Sequence, residues 1–136
     1  MQILIIDGQG GRLGSQLVQS VSARFPNARI SAVGTNAMAT AAMIKAGAAH
    51  AATGENPTVV ACRTADVIIG PIGIVIADSL FGEVTPTMAV AVGQSRAVRI
   101  LIPINKCENM IAGIGETPLS VLIEDALKKL AAFSAG

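Results

Sequence analysis

Apolar residues in this chain fall into short continuous runs that alternate with stretches of helical spacing. Gln2 to Ile6 is an unbroken apolar run ending in Asp7-Gly8, the pattern of a strand covered on both faces. From Arg12 to Phe25 the apolar positions Leu13, Leu17, Val18 and Val21 recur at helical intervals until Pro26 stops them. Ala28 to Val33 reads as a second strand. Asn36 then caps a helix to about Ala46, with Lys45 in its last turn and Gly47 beyond its end. Ala49 to Thr53 is a weak third strand, and Asn56-Pro57 has the form of a cap followed by proline at the first position of a short helix to Thr64. Asp66 to Gly70 is a fourth strand. The apolar segment Ile72 to Phe81 suits a buried helix ended by Gly82 better than a continued extended run, although periodicity does not separate the two. Thr85-Pro86 and Thr117-Pro118 open helices over Pro86 to Val92 and Pro118 to Phe133; Val98 to Ile102 and Met110 to Ile114 read as strands five and six.

Strands alternating with helices along the chain predict one doubly wound, mainly parallel α/β sheet of five to six strands with helices on both faces, a Rossmann-like arrangement. No linker, repeat or low-complexity tract divides the 136 residues, which reads as a single domain over residues 1–136. In such sheets ligands sit outside the carboxyl ends of the strands. The loops beginning at Asp7, Gly34, Thr53, Gly70 and Pro103 are therefore expected on one edge.

The loop after the first strand is the most informative. In Asp7-Gly8-Gln9-Gly10-Gly11-Arg12-Leu13-Gly14 a strand enters a helix through four glycines in seven residues. Glycine lets backbone N–H groups come close to an anion, and the helix start adds unpaired donors and a favourable dipole. The spacing is GxxGxxG through Gly8, Gly11 and Gly14; GxGxxG fails because Leu13 stands where its last glycine belongs. Close packing of helix on sheet is the purely steric explanation of the same glycines. A nucleoside triphosphate P-loop is excluded, since GxxxxGK[ST] is absent and no lysine precedes Lys45.

A dinucleotide site also wants an acid at the end of the second strand, for the ribose hydroxyls. That place holds Val33-Gly34-Thr35-Asn36, with no carboxylate. Thr35 and Asn36 suit a 2′-phosphate or another anion, with Arg12 as counter-charge, while Asn36 suits a simple helix cap somewhat better. Gly70, Pro71, Ile72 and Gly73 form either a backbone wall beside a flat ring or a tight turn. The cofactor-binding set read from the sequence is thus Gly8, Gln9, Gly10, Gly11, Arg12, Leu13, Gly34, Thr35, Asn36, Gly70, Pro71, Ile72 and Gly73, for NADP or another nucleotide.

Composition narrows the chemistry. Ten basic against nine acidic residues give a net charge of +1, and aromatic residues reach 2%, so neither the field nor the stacking platforms of a nucleic-acid binder are present. The lack of tyrosine removes any tyrosine acid, including the Tyr/Lys pair of many small reductases. No apolar run approaches the roughly 20 residues of a membrane span, and the apolar start has no basic region before it, so a cytoplasmic protein is expected. Only 14% of residues are charged, against about 25% for an average soluble chain, which predicts a homo-oligomer, a two-fold dimer being the commonest form. Cys62 and Cys107 form no CxxC pair and read as reduced thiols; no cluster has metal-ligand spacing.

The acid–base candidates near the loop edge are Asp7, Glu55, Asp78, Glu83 and Lys106, with Cys107 as a possible nucleophile. Asp78 lies in an apolar segment and, if buried, is expected to have a raised pKa. His50, the only histidine, fits a structural role in the third strand. Three functions follow: a small nucleotide- or phosphate-binding protein; an oligomeric, oxidoreductase-like enzyme whose pocket is completed at a subunit interface; and a non-catalytic regulatory or structural subunit.

Two resemblances bear on these readings. Gly8-Gln9-Gly10-Gly11-Arg12-Leu13-Gly14 resembles the GxxGRMG loop of dihydrodipicolinate reductases, which bind NADH or NADPH through it, but that family's HHxxK stretch has no counterpart here. Over nearly the whole chain, Asp7 to Gly11, Gly34 to Asn36, Ala52 to Asn56, Gly70 to Ser79 and Gly82 to Pro86 resemble a family of short bacterial proteins, common in anaerobic Firmicutes, of unknown function. The second resemblance implies a Rossmann-like protein and no particular activity.

Overall fold

A computed structural model describes residues 1–104 and 108–136. Five strands form one sheet: β1 (Gln2–Asp7), β2 (Arg29–Gly34), β3 (His50–Thr53), β4 (Val67–Pro71) and β5 (Val98–Ile102). All pairings are parallel and the order is β3-β2-β1-β4-β5. Helices α1 (Arg12–Arg24), α2 (Ala37–Lys45), α3 (Glu55–Cys62), α4 (Pro86–Gln94) and α5 (Leu119–Ala135) connect or follow the strands. This is the doubly wound Rossmann-like order, which reverses between β1 and β4.

Side chains alternate across the sheet, so each strand feeds two cores. Ile3 and Ile5 of β1 pack with Leu13, Leu17, Val18 and Val21 of α1, Met43 of α2, and Ile123, Leu127 and Leu130 of α5. Leu4 and Ile6 face the other way, toward Cys62 of α3, Val92 of α4 and Ile74. Both faces of β1 are covered, which is why its sequence is a continuous apolar run and not an alternating one.

Three expectations are corrected. Met110 to Ile114 is not a sixth strand. Gly113 is left-handed (φ 84°), which breaks an extended run, and Ile111 and Ile114 lie instead against the groove between β5 and α5. The segment Ile72 to Phe81 is helical only as a 3-10 turn over Ile72–Val75. Beyond it, Asp78, Leu80, Phe81 and Gly82 all have positive φ (66°, 54°, 60° and 84°), so the chain forms a coiled strap, not a helix. Its apolar residues are used in a small core of their own, Leu80, Val84, Met88 and Ala89.

The third concerns helix starts. Helix α3 opens at Glu55 with Gly54 as its cap, and Pro57 falls within the first turn, where its missing N–H has no helical partner to lose. Helix α5 likewise opens at Leu119 with Pro118 as cap and no side-chain bond from Thr117. The other two caps are as read from the sequence: Asn36 Oδ1 accepts from Ala39 N at 2.9 Å, and Thr85 Oγ1 accepts from Met88 N at 3.1 Å.

No helix of the described residues is long and apolar enough to cross a membrane. Because β1 is packed from both sides and Ile5 is fully buried, Ile5→Ala is expected to lower stability by about 2–5 kcal/mol in urea unfolding.

Candidate functional site

The carboxyl ends of β1 and β2 lie side by side, with Asp7 paired to Gly34. Beyond Asp7 the chain turns through a bond from Gly11 N to Gly8 O (2.9 Å), with Gln9 and Gly11 left-handed (φ 49° and 74°), and enters α1 without a side-chain cap. Asp7 compensates from below: its Oδ2 accepts from Gly14 N at 2.7 Å. Among the described residues, the N–H groups of Gly10, Arg12 and Leu13 meet no acceptor.

The four glycines have different reasons. A Cβ on Gly8 would overlap Thr35 Oγ1 and press on Glu83 and Leu80; one on Gly11 would lie 2.8 Å from Ala39 Cα, and one on Gly14 would lie 2.6 Å from Met43 Sδ. These are the three glycines of the GxxGxxG spacing, so packing accounts for that motif. Gly10 is the exception, with open space where its side chain would be. It borders a cleft of about 300 Å³ lined by Asp7 through Leu13, Ile104 and Leu119.

The strap from Ile76 to Val84 closes over this edge. Leu80, 2% exposed, presses toward Gly8, and Ser79 Oγ donates to Gly73 O. Asp78 N donates to Val84 O at 2.7 Å. Glu83 then clasps strap to sheet. Its Oε1 accepts from Thr35 Oγ1 (2.6 Å), Asn36 Nδ2 (2.7 Å) and Gln9 N (2.9 Å), while Asn36 Nδ2 also donates to Gln9 O (2.9 Å). A carboxylate thus stands at the end of β2 after all. It comes from 48 residues further along the chain, and no local spacing signals it.

Two carboxyls at this edge are driven in opposite directions. Burial pushes the Asp7 carboxyl above its ordinary value, against the N–H groups of Gly14 and Gly8, and the Glu83 charge adds to the rise. Burial also pushes Glu83 upward, but the bonds from Thr35, Gln9 and Asn36 favour its charged form and leave it below the ordinary carboxylate range.

The remaining candidates are spread out. Glu55 Oε2 accepts from Thr85 Oγ1 at 2.6 Å, which ties α3 to the strap's end. Asp78 is exposed in its left-handed turn and not buried in the apolar segment around it. Gly34 packs on Thr40. Gly70 packs on the backbone of β1 and Gly73 under Ser79. Pro71 is buried, and Ile72 lines the groove beside β5, so the Gly70 to Gly73 turn does not border the cleft at Gly10. Lys106 and Cys107 lie outside the described residues. Burial pushes the Cys62 thiol up to about 11, which keeps it protonated and a poor nucleophile. His50 is exposed on β3, with Nε2 3.0 Å from Arg29 Nη2. Among the described residues no group of three or more His, Cys, Asp or Glu side chains is placed to hold a metal ion.

Parallel strands in this order, with a glycine turn leading from β1 into α1, define a Rossmann-type α/β protein. The chain belongs to the family described as "Domain of unknown function (DUF3842)", which matches residues 2–135. Among solved structures it is similar to a dodecameric FMN-dependent Ubix-like decarboxylase from Escherichia coli O157:H7, at 16% identity and a TM-score of 0.46, covering 96% of this chain and 95% of that one. No curated protein matches it.

The opposed shifts give a test by pH. A raised acid in the folded state destabilises wherever it must ionise, so Asp7→Asn is expected to gain stability relative to the native chain as pH rises from the ordinary aspartate value of 3.8 through the raised one. Glu83 has the reverse sign. Its contribution is present above the ordinary glutamate value of 4.5 and fades as pH falls through the lowered one, so the loss in Glu83→Gln should shrink on acidification. Urea titrations of the three proteins from pH 2.5 to pH 8 check both; parallel stability curves would contradict the assignment.

Proposed function

We propose that this protein binds a nucleotide or a related phosphate-bearing ligand in the cleft at Gly10, with a phosphate against the N–H groups of Gly10, Arg12 and Leu13. The observation that carries the reading is that Gly10, alone among the four glycines of the turn, has no packing reason to be glycine, and it borders a cleft where a helix starts uncapped. A helix start of this kind attracts anions through its free donors and dipole. Arg12 is exposed at the first helical position and lines the same cleft, where it adds a cation. Leu13, Ile104 and Leu119 supply the apolar wall for the rest of the ligand.

The acids fit binding better than acid–base catalysis. Glu83 is fixed in its ionised form by three donors, Glu55 is held by Thr85, and Asp78 is open to solvent. None of the three lines the cleft. Asp7, which is raised, is already bonded to the start of α1.

Thermal unfolding with NAD, NADP, ADP and inorganic pyrophosphate tests this reading; a ligand at 100 times its dissociation constant adds about 2.7 kcal/mol of stability. Gly10→Ala should fold as well as the native chain, since nothing lies within 4 Å of its added methyl, yet bind less tightly. Arg12→Glu should weaken binding about tenfold or more. No shift with any of these ligands at millimolar concentration would refute the proposal.

The reading extends to a homo-oligomer, supported by the low charge content and by the exposed apolar side chains Met38 and Ile44 on α2. Light scattering should then give a mass that is a multiple of 13.8 kDa. A 13.8 kDa species alone would exclude it.

A further inference from the structure

We infer that Glu83 is the residue that holds the ribose of the bound nucleotide, and that it selects nucleotides whose 2′-hydroxyl is free over those carrying a 2′-phosphate. The inference rests on the nucleotide reading of the cleft given above.

In a sheet of this order the adenosine ribose comes to the end of the second strand, where a carboxylate accepts from its hydroxyls. The local sequence there, Gly34-Thr35-Asn36, has none. The strap delivers Glu83 to that place, and the delivery is firm. Leu80 is buried beneath it, Ser79 is bonded to Gly73, and three donors from both neighbouring loops converge on Glu83 Oε1.

All three of those bonds use one oxygen. Glu83 Oε2 accepts from no described residue, and the side chain is only partly buried. Concentrating the three donors on Oε1 leaves Oε2 with the full acceptor capacity that a ribose hydroxyl requires. Gln9 links this point to the cleft: its N–H holds Glu83, and it lines the cleft beside Gly10.

The same arrangement works against a 2′-phosphate. Thr35 and Asn36, the donors that such a phosphate needs, already spend their hydrogens on Glu83 and Gln9 O. The Glu83 carboxyl is held ionised, and a dianion brought to it meets like charge. Arg12, the nearest cation suggested by the sequence, lines the cleft at the start of α1 and makes no bond to Thr35, Asn36 or Glu83.

The test is calorimetric titration of the full chain with NAD, NADP, ADP, 2′-deoxy-ADP and inorganic pyrophosphate. The native protein should bind NAD about tenfold more tightly than NADP, and ADP about tenfold more tightly than 2′-deoxy-ADP. Glu83→Gln, which retains an amide oxygen for the clasp, should bring NAD and NADP to within about twofold of each other. Equal affinity of the native protein for NAD and NADP overturns the inference, and that measurement needs no variant to fold. A preference that survives in Glu83→Gln also overturns it and leaves Glu83 as a clasp only. Pyrophosphate binding without any discrimination sinks this inference alone. Failure of every ligand to bind sinks the nucleotide reading together with it.

Discussion

The structure hangs on the burial of β1. It is the central strand, with β2 and β4 on either side, and its alternate residues feed separate cores on the two faces of the sheet. A strand so placed cannot slip by one residue without exchanging both cores at once. That fixes where β1 ends, and so fixes the height at which Asp7 and the glycine turn emerge beside Gly34. The cleft, the bond from Gly14 N to Asp7 in the first turn of α1 and the clasp of the strap are all set relative to this one end.

Packing and binding compete as explanations for the glycine turn, and the answer differs residue by residue. Gly8, Gly11 and Gly14 are each pressed by a neighbouring element: the strap and β2 loop, α2, and Met43 with Asp7. They let α1 and α2 approach the sheet closely and would be needed in a protein that bound nothing. Of the four, only Gly10 has no neighbour pressing on it. The motif spacing that first suggested an anion site therefore describes the scaffold, while the residue inside it marks the cleft.

Most of the fold was legible because periodicity reports burial. The five strands and the helices after them appear where continuous or helical apolar spacing places them, and the caps at Asn36 and Thr85 were visible as single residues. Failures came where apolar residues serve something other than a regular element. Ile111 and Ile114 cover a groove, and Leu80 and Val84 build the strap's own core, so their runs imitate a strand and a helix without forming them. The site was legible only in its local part. Glu83 could be seen as an acid near the right edge, but its partnership with Thr35 and Asn36 spans nearly fifty positions of sequence and depends on four residues of left-handed backbone, Asp78, Leu80, Phe81 and Gly82.

That distance has a physical consequence for how the site is held. An acid carried at the end of β2 itself would be positioned by the sheet ladder alone. Here the carboxylate arrives on a strap whose backbone includes Asp78, Leu80 and Phe81 in left-handed conformations, each costing of order 1–3 kcal/mol. Such a conformation persists only where its contacts over-determine it, and the clasp at Glu83 is among those contacts. The tip of the strap adds none, since Phe81 is fully exposed. Strap and sheet edge therefore stabilise each other: the bonds from Thr35, Asn36 and Gln9 keep Glu83 ionised, and the ionised carboxylate keeps the strap folded over Gly8. Loss of that charge weakens both, so the order of the β1 and β2 loops and the electrostatics of the cleft beside them are controlled by the same group.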